Sequence, residues 1–200
     1  MKQFSIVLSL LILISLNSIG QESNGRVNSL VAAESYFSAL AKKNGSKEAF
    51  LKVSDDESLI FRPDPVKVKD FYGKGTVDGP GQLSWIPVYA KISQSGDWGF
   101  TTGPYTFLNS PDAEPSYGQY LSVWKADFKG VWKLALDLGI SHQKPVKEPE
   151  LNFTEPKDIK FYKQISPARL KQRQEIITTT DRLFSNTLMK DQSLAHDVFL

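Results

Sequence analysis

The 200-residue chain contains no cysteine. That excludes thiol nucleophiles, disulfides and thiolate metal sites, so the fold must stand on its core alone. It has only two histidines, His142 and His196, too few for a multi-histidine metal cluster. An excess of charge of one sign is also missing. The chain carries 24 Lys and Arg against 22 Asp and Glu, a net charge of +2, with the two signs interspersed. No basic cluster of the kind a nucleic-acid face needs is present, and no nucleic-acid partner is expected. No apolar run reaches the roughly 20 residues that cross a bilayer. The Gly-rich stretch Gly73–Gly81 lacks the Lys and hydroxyl that a phosphate loop places at a helix start, and reads as a connection. No metal and no cofactor are expected.

What is present is a core. Apolar residues make up 40% of the chain and aromatics 12%, which argues against wholesale disorder. The first twenty residues stand apart. Lys2 precedes an apolar run, Phe4–Leu16, broken only by three serines, and Ser18 and Gly20 offer small side chains at −3 and −1. This pattern predicts a signal peptide (residues 1–20), cleavage between Gly20 and Gln21, and an exported, periplasmic or secreted, protein. No stable membrane insertion is expected once the signal is removed.

The strongest internal signal is a loose repeat. Leu30, Glu34, Phe37 and Ala41 are matched by Ile177, Asp181, Phe184 and Leu188. Both quartets step by 4, 3 and 4, one face of an α-helix. The spacing predicts a helix over Arg26–Asn44, stopped by Gly45, and a short helix that starts at Ser46 and runs through Val53. Ser54–Ser58 reads as a polar loop and Leu59–Phe61 as a short strand. Two prolines in Arg62–Pro65 end that strand, and Val66–Tyr72 reads as one or two helical turns. Four longer strands follow: Leu83–Ile92, Trp98–Leu108, Tyr117–Phe128 and Val131–Ile140. Pro87 makes the first of them an edge or bulged strand, and the short links make neighbours antiparallel. Gln143–Arg169 reads as a linker. The expected domains are residues 24–142, a linker over 143–172, and at 173–200 the first helix of a partial second copy.

At Phe61-Arg62-Pro63, Gly103-Pro104-Tyr105 and Trp132–Gly139 (WKLALDLG) the chain resembles the nuclear-transport-factor-2-like superfamily, which includes ketosteroid isomerase and the SnoaL-like cyclases. The resemblance covers about residues 26–142 and is closest to an uncharacterised exported bacterial branch. It implies an α+β fold, a cystatin-like roll in which a cone-shaped, curved antiparallel sheet wraps around the long N-terminal helix and leaves a pocket at its open end. It also implies homodimers through the sheet's outer face, and Asp, His or Tyr in the pocket of catalytic members.

Several residues are candidates for chemistry. Glu34 interrupts the apolar stripe of the first helix, and a buried carboxylate needs a partner. Arg62 is the expected counter-ion, as a structural pair or as a polar pair at a pocket floor. Asp137 alternates with Leu134, Leu136 and Leu138, which claim the core side, so it faces outward with Lys133 unless a bulge shifts the register. Inside an apolar cavity it would be a general base. Arg62, Tyr105, Tyr120 and Trp124 are the candidate ligand-binding residues. His142, just past the last strand, reads as an exposed loop histidine. Three functions follow: a pocket binding a small, mostly apolar ligand without catalysis; an isomerase-, cyclase- or dehydratase-type enzyme using a pocket carboxylate with a Tyr donor; or a pairing module working through the outer sheet face.

Overall fold

The four residues spaced 4, 3 and 4 form the buried face of α1, Val27–Asn44. Leu30, Glu34, Phe37 and Ala41 are all enclosed. The computed structural model describes residues 22–73, 79, 81–158 and 166–199. The signal peptide and its cleavage point, like most of the Gly-rich connection, lie outside the described residues. Contacts divide the chain into two units, Met1–Lys160 and Phe161–Leu200.

In the first unit α1 ends at Gly45, whose φ of 91° is open to glycine and whose N–H bonds Ala41 O at 2.9 Å. Lys42 and Lys43 in the last turn complement the helix dipole. A second helix, α2, Ser46–Val53, folds back immediately. Phe50 meets Phe37 edge to face at 4.8 Å, which fixes the helical hairpin.

Among the described residues eight strands form the sheet: β1 Ser54–Phe61, β2 Pro65–Lys67, β3 Gln82–Trp85, β4 Tyr89–Ile92, β5 Trp98–Leu108, β6 Ser116–Ala126, β7 Trp132–His142 and β8 Asn152–Thr154. Their order is β2-β1-β7-β6-β5-β4-β8, with β3 also paired to β5. The sheet is curved and open. β1 pairs with β7, and β4 with β8, in parallel; the remaining pairings are antiparallel. A helix α3, Val68–Gly73, lies between β2 and β3. The core fills the space between α1, α2 and this sheet, around Leu30, Phe37, Ile60, Trp124, Trp132 and Leu134. This is the α+β roll that the resemblance implies.

Local chemistry explains where the elements depart from expectation. The polar stretch Ser54–Ser58 belongs to β1 rather than to a loop. Its register shifts between Ser54 and Leu59, and the Ser58 hydroxyl bonds both Asp55 and the Leu134 carbonyl, so polar side chains supply what the ladder lacks. Pro65 starts β2 at the sheet edge, where no ladder donor is needed. The expected strand Leu83–Ile92 splits into β3 and β4 around Pro87, both still paired with β5.

Residues 152–154, within the stretch that reads as a linker, form β8 on β4. The next residue, Glu155, accepts the first amide of α1, Val27 N–H, at 3.1 Å through Oε2. An acidic group thereby caps a helix that has no side-chain cap of its own.

The second unit contains α4, Pro167–Lys190, and α5, Gln192–Phe199. Two helices therefore stand where the spacing predicts one. Asp191 Oδ1 accepts the Leu194 N–H at 2.9 Å and starts α5. Phe184 and Phe199 pack at 5.6 Å. Ile177 and Leu188, which match Leu30 and Ala41, are exposed.

Candidate functional site

The floor of the roll holds two buried carboxylates. Glu34 on α1 is fully enclosed. Trp85 Nε1 on β3 donates to Oε1 at 2.6 Å; Thr101 Oγ1 on β5 and Trp124 Nε1 on β6 donate to Oε2 at 2.5 and 2.9 Å. Both oxygens are thus held by neutral donors, two of them indoles that can only donate. Burial raises the Glu34 pKa, and the bonds from Thr101, Trp85 and Trp124 act against it.

Arg62 is not the partner of Glu34. Its Nη1 donates to the Phe61 carbonyl at 2.7 Å, its guanidinium carbon lies 5.9 Å from the centre of the Phe50 ring, and it is exposed. The reason is topological. β1 pairs with β7, whereas Glu34 is held by side chains from β3, β5 and β6.

Asp137 on β7 is the second carboxylate, and it faces inward. Val123 pairs with Leu136 but Trp124 pairs with Leu134, so Ala135 is an extra residue opposite β6. This bulge reverses the alternation of β7. Trp132 and Leu134 are buried before it and Asp137 after it, while Leu136 and Leu138 are only half-buried. The expectation that these two leucines own the core side is therefore corrected by a single inserted residue.

Asp137 pairs across the sheet with Ser122, whose hydroxyl donates to Oδ2 at 2.9 Å. Burial first, then the charge of Glu34, pushes the Asp137 pKa up to about 7, while Ser122 and Arg62 pull it down. On the same inner face as Ser122, Tyr120 buries its hydroxyl, which makes no well-formed hydrogen bond among the described residues. Burial and the Glu34 charge raise its pKa further than the nearby Thr101 side chain pulls it down, so the phenol stays protonated.

Tyr120 and Asp137 line a cavity of about 720 Å³, within the range of small-molecule sites. Its aromatic walls come from Phe37, Phe50, Tyr72, Trp85 and Phe107, and its outer part includes Lys42, Ser46 and Arg62. Tyr105 also lines it. That ring packs against Gly118, where a Cβ would sit 2.2 Å from it, and its hydroxyl is 3.1 Å from Ser141 Oγ.

Of the residues singled out from the sequence, Arg62, Tyr105, Tyr120 and Asp137 border the cavity. Glu34 and Trp124 lie behind it, bonded to each other. His142 ends β7, exposed, with Nδ1 against the Gln143 carbonyl at 2.6 Å. Trp85, Thr101 and Ser122 were not foreseen as partners of the carboxylates. The alternation of Tyr120, Ser122 and Trp124 was the available signal for Ser122. No group of three or more His, Asp or Glu able to hold a metal occurs among the described residues.

The outer face of the sheet carries a separate shallow depression of about 570 Å³, bordered by Trp98, Phe100, Leu121 and Val123. No helix among the described residues is long and apolar enough to cross a membrane.

No protein-family model and no curated protein sequence matches the chain. Solved structures do resemble it. One is a nuclear-transport-factor-2-like superfamily protein from Salmonella enterica, at 12% identity, covering 59% of this chain and 92% of that one, with a TM-score of 0.46. Another is a protein of unknown function with a cystatin-like fold from Nostoc punctiforme, at 15% identity, covering 57% and 89%, with a TM-score of 0.43. A third is a ketosteroid isomerase-like protein from Erwinia carotovora atroseptica, at 16% identity, covering 58% and 96%, with a TM-score of 0.42.

Proposed function

We propose that the first unit is a pocket domain that binds a small, mostly apolar molecule and holds its polar end with Tyr120 and Asp137. One observation carries this reading: an aromatic-walled cavity of about 720 Å³ is bordered by Tyr120, whose buried hydroxyl makes no well-formed hydrogen bond among the described residues. A buried donor left without a partner costs about 1–3 kcal/mol, and a ligand acceptor placed against it recovers that cost. The test is an amide NMR titration of the purified chain with flat aromatic ketones. Shifts centred on Tyr120, Asp137 and Phe50 are expected. Shifts confined to Phe100, Leu121 and Val123, or none at all, overturn the reading.

A second reading, proton transfer, is favoured by Asp137. A carboxylate in an apolar cavity with a pKa pushed up to about 7 is matched to general-base work near neutral pH. Its carboxylate would take a proton from the carbon next to a ligand carbonyl while the Tyr120 hydroxyl donates to that carbonyl oxygen, and Asp137 would return the proton to another carbon. Solvent deuterium entering that carbon at a rate set by a group titrating near pH 7, and lost in Asp137→Asn, supports it. Exchange no faster than in buffer overturns it.

Three further parts of the proposal rest on sequence. Export follows from Lys2 and the apolar run after it, and N-terminal sequencing of the mature protein should begin at Gln21. Pairing of two copies would use the outer face around Trp98 and Phe100, which sedimentation would detect. The α4–α5 hairpin is the start of a second copy, on the strength of its matching quartet and its Phe184–Phe199 contact.

A further inference from the structure

The cavity is lopsided in chemistry. Its buried end carries Tyr120 and Asp137; both residues are more than nine-tenths buried. Its aromatic lining includes Phe37, Phe50 and Phe107. Its outer end carries cations. The charged residues on its described wall are Lys42, Arg62 and Asp137. Lys42 and Arg62 are exposed and form no ion pair among the described residues, where the ion pairs present involve other side chains. Arg62 also lies beside the aromatic ring of Phe50, which restricts where its planar fork can sit.

Resting on the pocket reading above, we propose that the ligand is a ring-bearing organic anion, with a neutral carbonyl or hydroxyl at its buried end and a carboxylate, sulfonate or phosphate at the rim on Arg62 and Lys42. The two ends of the site ask for different groups. A neutral acceptor suits a protonated phenol beside a buried carboxyl, whereas an anion there would be desolvated next to Glu34 and Asp137. At the rim the reverse holds. An anion keeps most of its hydration and gains a guanidinium able to bind it with two parallel hydrogen bonds. The flat body between the ends fills the aromatic section by stacking and edge contacts.

Two fluorescent probes of nearly the same shape test the assignment. 8-Anilinonaphthalene-1-sulfonate carries the anion, and N-phenyl-1-naphthylamine lacks it. Both are titrated into the folded full chain, with near-ultraviolet circular dichroism recorded to show that packing is intact. The sulfonate should bind at least about tenfold more tightly, an advantage that shrinks with added salt. Arg62→Gln should remove most of this advantage and leave the neutral probe within about twofold, and Lys42→Gln should remove a smaller part. Equal affinity for the two probes, or a sulfonate preference unchanged in Arg62→Gln, overturns the anion assignment while the pocket reading stands. Failure of both probes to compete with an aromatic ketone, or to bind at all, removes the pocket reading and the anion with it.

Discussion

Glu34 and Asp137 are both buried in the same roll, on opposite layers of it. Glu34 projects from the helix, is sealed from solvent, and has donors on both oxygens. Asp137 projects from the sheet, borders the cavity, and has a single side-chain donor among the described residues, Ser122. A carboxylate enclosed by converging donors acts as a tie, because moving it would strand two indoles and a threonine. A carboxylate with spare lone pairs beside an open volume is free to engage something that enters. The same residue chemistry thus serves architecture in one place and recognition in the other, and the number of donors tells the two apart.

Substitutions can break this contrast. The largest effect is expected at Glu34. Glu34→Ala leaves Trp85 and Trp124 with unsatisfied buried donors and opens a void, so it should cost about 3–5 kcal/mol in urea unfolding. Glu34→Gln should cost less but still more than about 1 kcal/mol, because an amide offers one acceptor oxygen where two indoles converge. A neutral result at both would remove the tie.

The next effect concerns pH. Asp137 has a folded pKa of about 7 against an ordinary 3.8. Between those values the folded state holds the proton more firmly than the unfolded chain does. Stability should therefore be highest toward the acid side of that window and fall as pH rises from about 4 to 7, by up to a few kcal/mol. Asp137→Asn keeps an acceptor for Ser122 and removes the titration. It should flatten the fall and leave the variant more stable than the native chain at pH 8 by roughly 1–3 kcal/mol, read from thermal melts across pH. A native melting profile that rises through this window contradicts the assignment.

A smaller change sharpens the contrast. Ser122→Ala removes the one donor to Asp137, should cost about 1 kcal/mol, and should move the Asp137 carboxyl titration seen by carbon NMR further upward. The smallest is Tyr120→Phe. Its hydroxyl makes no well-formed hydrogen bond among the described residues, so its removal should not lower stability and should raise it by about 1 kcal/mol. Affinity for an aromatic ketone should nonetheless fall severalfold. A large loss of stability would mean that the hydroxyl holds the fold rather than a ligand.

Much of this was legible in the sequence. The 4-3-4 spacing named the face of α1, and the place of Glu34 in that stripe marked it as enclosed. Alternation put Tyr120, Ser122 and Trp124 on one side of their strand, and packing decides that this side faces inward. Asp137 was legible only as an alternative, because alternation holds until an extra residue is inserted. Ala135 becomes that residue through pairing with β6 and β1, which no local pattern announces. The partners of Glu34 were missed for a different reason. A charge suggests a counter-charge, and Arg62 at the end of a short strand offered one, whereas the actual donors are neutral and come from strands 51, 67 and 90 residues away. β8 was hidden by its surroundings. Three strand residues among prolines, lysines and glutamates carry too little periodicity to stand out.

The latch between Glu155 and Val27 sets the least stretch of gene that should be expressed to obtain a sound roll. A fragment ending at His142 would contain every residue of the cavity wall and still leave the first turn of the central helix without its acidic cap, and the β4 edge without its neighbour. The minimal unit therefore runs to Glu155, and a stretch that reads as spacer on paper is the clasp that shuts the case.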